Sequence, residues 1–100
     1  MTYVFDLDGT LCHTDRQDYA HATPRPDRIA EVQRLYDAGH RIIIESARGS
    51  MTGTDWRPLT LEQLRAWGVP FHEVRVGVKF YGDIYVDDKG VAADAFFDEA

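Results

Sequence analysis

Cysteine is nearly absent. The 100-residue chain has one, Cys12, so no internal disulfide can form and the fold must hold without one, as suits a reducing cytoplasm. Long apolar runs are missing as well. None approaches the ~18–20 residues of a membrane helix and no signal-peptide pattern opens the sequence, so a cytoplasmic protein with no membrane partner is expected. Lys and Arg are not clustered and the formal net charge is −6, which disfavours a nucleic-acid backbone as partner. No His/Cys set has the spacing of a zinc site. Internal repeats, low-complexity tracts and any credible domain boundary are lacking too. What is there is 44% apolar and 28% charged, the composition of one globular domain, 1–100, built on a single core.

The chain is organised around Thr2-Tyr3-Val4-Phe5-Asp6-Leu7-Asp8-Gly9-Thr10. Tyr3, Val4 and Phe5 are uncharged strand formers, and the run ends abruptly at a carboxylate. An apolar run closed by Asp-x-Asp-Gly reads as a buried parallel strand opening into a tight turn. Residues two apart on a strand point the same way, roughly 6–7 Å apart along the chain. Asp6 and Asp8 are therefore expected at the strand's carboxyl end, where open α/β sheets bind ligands. Two acids there repel each other unless a cation or proton relieves them.

Residues 9–25 lack periodicity, and Pro24 and Pro26 forbid a helix running straight through, so a loop or small hairpin beside the acids is expected. Its His13 and His21 are expected in solvent. Ile29, Val32, Leu35 and Tyr36 recur at helical spacing and predict a helix over 27–38, stopped by Gly39. Arg41-Ile42-Ile43-Ile44-Glu45-Ser46 predicts a second buried strand, and a right-handed crossover brings Ser46 to the same sheet edge as Asp6. Residues 47–59 read as a loop. Thr60-Leu61-Glu62-Gln63 has the form of a capping box opening a short helix closed by Gly68. A third strand is expected around 73–76 with Lys79 just beyond it. Ile84-Tyr85-Val86 predicts a fourth, ending in Asp87-Asp88, and Val91, Ala92, Ala95 and Phe96 supply the apolar side of a last helix.

Three strand ends thus carry chemistry: Asp6 with Asp8, Ser46, and Asp87 with Asp88. Converging carboxylates imply a hard cation, and oxygen ligands suit Mg²⁺. A lysine and a hydroxyl beside such an ion are suited to phosphoryl oxygens, so the constellation reads as phosphoryl transfer.

Phe5-Asp6-Leu7-Asp8-Gly9-Thr10-Leu11 resembles motif I of the haloacid dehalogenase (HAD) superfamily, hhhDxDGT. Ser46, within Ser46-Ala47-Arg48, matches motif II, Lys79 the motif III lysine, and Val86-Asp87-Asp88 the acidic motif IV. All four occur in the family's order. Ala47-Arg48-Gly49, Gln63-Leu64 with Trp67-Gly68-Val69, and Asp83 to Lys89 look like small bacterial HAD phosphatases associated with capsule and surface-polysaccharide genes.

The resemblance implies a three-layer, Rossmann-like α/β core with a parallel sheet in the order 3-2-1-4. It implies an Mg²⁺-dependent phosphomonoester hydrolase in which Asp6 is the nucleophile that becomes an aspartyl phosphate. Asp8 would be the general acid and base. Ser46 and Lys79 would hold the phosphoryl oxygens, with amides of Leu7, Ala47 and Arg48 as added donors. Mg²⁺ would be held by Asp6, the Asp8 carbonyl, and Asp87 or Asp88. Lys89 competes for the Lys79 role, since Phe80 stands where related sequences often have proline. The connections 9–25 and 47–78 leave no room for a cap domain. Capless relatives take large substrates at an open site or borrow a lid from a neighbouring subunit, which leaves a homo-oligomer open. The capsule-type resemblance favours a sugar phosphate or related small metabolite as substrate. Two alternatives stand: an inactive HAD-like metal- and phosphate-binding module, and a receiver-like phosphoacceptor domain.

Overall fold

Three consecutive isoleucines, Ile42, Ile43 and Ile44, are all buried, which requires a strand covered on both faces. That strand is the centre of the sheet. The computed structural model describes residues 1–98. In chain order they form β1 (Thr2–Asp6), β2 (Cys12–His13), a 3-10 turn (Tyr19–His21) and β3 (Thr23–Pro24). Then follow α1 (Pro26–Asp37), β4 (Arg41–Ser46), α2 (Arg57–Trp67), β5 (Glu73–Val76) and α3 (Ala93–Phe96). β4 lies between β1 and β5, and both pairings are parallel. Asp6 stands opposite Glu45, and Ser46 opposite Val76, so the carboxyl ends of all three strands reach one edge. The short β2–β3 pair is the antiparallel hairpin of the 9–25 loop.

The core joins Phe5 of β1, Ile29, Val32 and Leu35 of α1, Ile42 and Ile44 of β4, Leu64 of α2 and Val74 of β5. α3 docks on it through aromatic rings, with Phe96 edge-on to Tyr3 at 6.0 Å and to Phe5 at 5.6 Å between centroids. Arg28 is buried beneath α3. It donates to Thr10 O at 3.0 Å and to Asp94 Oδ1 at 2.5 Å, and its guanidinium lies over the Phe97 ring. No helix among the described residues is long and apolar enough to cross a membrane.

Two expectations require correction. The fourth strand at Ile84-Tyr85-Val86 is not formed, and all three residues are exposed. The segment instead folds on itself, the Tyr85 hydroxyl donating to Phe80 O and accepting from the Gly82 amide. Three apolar residues carry strand propensity but no pairing of their own, and propensity without a partner is a weak determinant. The observed parallel strands are therefore three, in the order β5-β4-β1, with no fourth member beside β1 among the described residues. The second correction concerns α2, which starts at Arg57 rather than at a cap on Thr60. Pro58 falls in the first turn, where its fixed φ starts a helix and its missing amide is no loss. Thr60 is thereby carried inside the helix and buried.

Candidate active site

β1 delivers Asp6 to the sheet edge, and the chain then doubles back. Gly9 takes φ +83, a conformation that side-chain-bearing residues rarely adopt, and Leu7 O accepts from the amides of Thr10 and Leu11 at 3.1 and 2.9 Å. The turn aims Thr10 at Asp6, its hydroxyl donating to Oδ2 at 3.1 Å. The other oxygen, Oδ1, accepts from Lys79 Nζ at 3.1 Å. The structure thus brings Lys79 to Asp6. Lys89 instead pairs locally with Asp88 at 3.5 Å, both side chains exposed. Lys79 also lies against the Tyr85 ring, Nζ 4.8 Å from its centroid.

Asp8 faces a different set of partners. Arg48 clasps it bidentately, Nε to Oδ2 at 2.8 Å and NH2 to Oδ1 at 2.8 Å. The Thr14 hydroxyl adds a bond to Oδ1 at 2.6 Å, and Cys12 Sγ lies 3.5 Å away. Burial pushes the Asp8 carboxyl up. The bonds from Arg48 and Thr14 and the Arg48 charge outweigh that, holding it below the ordinary aspartate range. Cys12, buried beside this anion, has its thiol pushed up to about 11, mainly by desolvation.

Arg48 is itself fully buried, and NH1 donates to Thr60 Oγ1 at 3.0 Å and Gln63 Oε1 at 2.7 Å. Gln63 Nε2 donates to Tyr19 O at 2.6 Å, and the Arg48 guanidinium stacks 4.8 Å over the Tyr19 ring. Trp56 packs edge-on against Tyr19 at 5.0 Å. One guanidinium therefore ties the Asp8 turn, the 9–25 loop and α2 together. The Arg48 side chain is occupied inside the protein, and its amide donates to Ser46 Oγ at 3.1 Å. Ser46 is buried at the tip of β4, one residue beyond the partner of Asp6. Ala47 follows in the turn, its carbonyl accepting from the Ser50 amide at 2.9 Å.

Asp87 and Asp88 are exposed and engaged nearby in sequence. Asp87 Oδ1 accepts from the amides of Lys89, at 2.8 Å, and Gly90, and these bonds hold its carboxyl below the ordinary range. Among the described residues no three His, Cys, Asp or Glu side chains come together to hold an ion. The sheet edge so assembled carries an ion-paired acid at Asp6, a clamped anion at Asp8 and a buried hydroxyl at Ser46. The sequence pointed to no contact with Asp6 or Asp8 from Thr10 or Thr14, though Thr10 lies within the Asp6–Thr10 motif. Thr60 and Gln63 read as the ends of a capping box, Gln63 also as part of the resemblance, and neither as a support for Arg48.

Comparison with known proteins supports the architecture. No protein-family model matches the chain, and no curated protein matches it. The crystal structure of an MCSG target from Vibrio cholerae superposes with a TM-score of 0.86 at 29% identity, over 99% of this chain and 89% of that one.

Proposed function

We propose that this chain is a HAD-type phosphomonoester hydrolase working through an aspartyl phosphate, with a sugar phosphate or related small metabolite as substrate. The observation that carries the reading is Asp6 at the carboxyl end of β1, held between Lys79 and Thr10. A carboxylate fixed by an ammonium on one oxygen and a hydroxyl on the other has one defined approach to phosphorus.

In the first half-reaction an Asp6 oxygen attacks phosphorus, the ester P–O bond breaks, and the leaving oxygen departs with its electron pair and takes a proton from water. Lys79 shifts from Asp6 Oδ1 toward the phosphoryl oxygens, whose charge it neutralises together with the Ser46 hydroxyl. In the second half a water attacks the aspartyl phosphate, Asp8 takes its proton, and phosphate leaves Asp6 free. The Arg48 clamp favours the Asp8 anion, which suits this base step. The same clamp opposes Asp8 protonating the leaving oxygen, so esters whose leaving group departs without a proton should react fastest.

Mg²⁺ is the expected cofactor, with Asp6, the Asp8 carbonyl and Asp87 or Asp88 as ligands. These oxygen donors are right in kind. As placed they do not fit, because Asp87 and Asp88 are turned to their own loop. Cation binding by Asp6 and Asp87 together requires the 80–90 segment to move.

A second reading, a phosphate-binding module without turnover, is favoured by the Asp8 clamp and the separated acids. Hydrolysis of an aryl phosphate with added Mg²⁺ decides between them. Wild-type turnover, abolished in Asp6→Asn, is the expected result. Asp6→Asn protein with near wild-type turnover ends the covalent mechanism.

A further inference from the structure

Beside Lys79 the loop after β4 and the loop after β5 enclose a groove of about 300 Å³, lined by Ser50, Met51, Val78, Lys79, Phe80 and Tyr81. We propose that this groove is the leaving-group subsite of the reading above, and that it takes a single uncharged six-membered ring with an apolar face. The inference rests on that reading for the position of the phosphoryl group, since Lys79 both lines the groove and touches Asp6.

Three observations select the occupant. Met51, Val78, Phe80 and Tyr81 are 75%, 61%, 87% and 71% exposed, a concentration of solvent-facing apolar surface at one spot. Ring faces and a thioether attract flat or CH-lined rings, aromatic or pyranose. The volume, about 300 Å³, is at the lower end of the roughly 300–1,000 Å³ of small-molecule sites, which suits a small leaving group of ring size rather than a polymer. Lys79 is the one charged residue in the lining, and it is directed to Asp6, so nothing there balances a carboxylate or second phosphate on the leaving group.

Non-hydrolysable phosphonates separate the subsite from the chemistry. The probes are phenylphosphonate, a pyranosyl phosphonate, 4-carboxyphenylphosphonate and ethylphosphonate, each titrated with Mg²⁺ into the wild-type protein. The readout is the Met51 methyl and the Phe80 and Tyr81 ring resonances. The expected result is that the two neutral ring probes shift these signals and bind roughly two- to tenfold tighter than ethylphosphonate, a ratio that falls in Phe80→Ala. Whichever neutral ring binds tighter identifies the aryl or sugar class. Tighter binding of the carboxylated ring overturns the uncharged assignment. Rings that bind no better than ethylphosphonate, with Met51 unmoved, overturn the subsite and leave the hydrolase reading intact. Rings seated against Met51 without hydrolysis of phenyl phosphate overturn the hydrolase and leave the groove as a ring site. No phosphonate binding overturns both.

Discussion

Replacing Arg48 by Met should destabilise the protein strongly while leaving it folded, and the magnitude follows from what the side chain holds. It removes both bonds to Asp8 and the donors to Thr60 and Gln63. Breaking a buried ion pair from one side costs about 3–5 kcal/mol, because the abandoned charge stays where it was. The Asp8 side chain is 24% exposed and keeps its bond from Thr14, so the lower end of that range, about 3 kcal/mol, applies. Set against the roughly 5–15 kcal/mol of a domain this size, and about 4–8 °C of Tm per kcal/mol, the melting temperature falls by about 12–24 °C. Urea unfolding of Arg48→Met, Asp8→Ala and the double variant then isolates the pair. The double should be less destabilised than the sum of the singles by more than about 1 kcal/mol. The acid dependence has a definite sign. Asp8 is depressed in the folded state, so the clamp's stabilisation is complete above the ordinary value of 3.8 and is lost as pH falls through the folded value. The gap between wild type and Arg48→Met should therefore shrink in acid. Additive singles, or a gap that is constant down to low pH, refute the clamp as an energetic unit.

Removal of divalent ions with EDTA should abolish turnover, and Mg²⁺ should change the surroundings of Tyr85 as the 80–90 segment moves. Asp87→Asn and Asp88→Asn should raise the Mg²⁺ concentration needed, the larger rise marking the direct ligand, and activity indifferent to EDTA sinks this expectation. Cys12, at about 11 against an ordinary 9.0, should carry about 100-fold less thiolate near neutral pH than a free thiol, so it should resist thiol reagents in native protein and react on unfolding. Gly49→Ala should lose about 1–3 kcal/mol by urea unfolding, because φ is +81 and an added Cβ would overlap the Thr54 carbonyl oxygen.

Elements with their own local signals were legible in the sequence. The 3.6-residue spacing of Ile29, Val32 and Leu35 gave α1, and the isoleucine run gave β4. The sequence also put Lys79 within reach of Asp6, since a residue just beyond β5 lies at the same edge as the end of β1. Hidden from it was whatever depended on partners far along the chain. Ile84–Val86 had the composition of a strand, but pairing with β1 is a property of two segments. Arg48, two residues beyond Ser46, read equally as a brace for its loop or as a contact to substrate. Its burial against Asp8, 40 residues away, comes from the way α2 folds over the loop, and α2 itself begins a turn earlier than its capping pattern suggested.

The free side of β1 bears on how the protein behaves in concentrated solution. Among the described residues β1 is paired on one side only, which offers a row of backbone donors and acceptors to any neighbour, and Val4 upon it is 57% exposed. The exposed run from Ile84 to Val86 has strand-forming composition and no strand partner among the described residues. Mutual repulsion from a net charge of −6 opposes the exchange of these surfaces between molecules. Colloidal stability should fade as pH drops toward the isoelectric point or as salt screens the charge. Storage in alkaline buffer of low ionic strength should slow such aggregation.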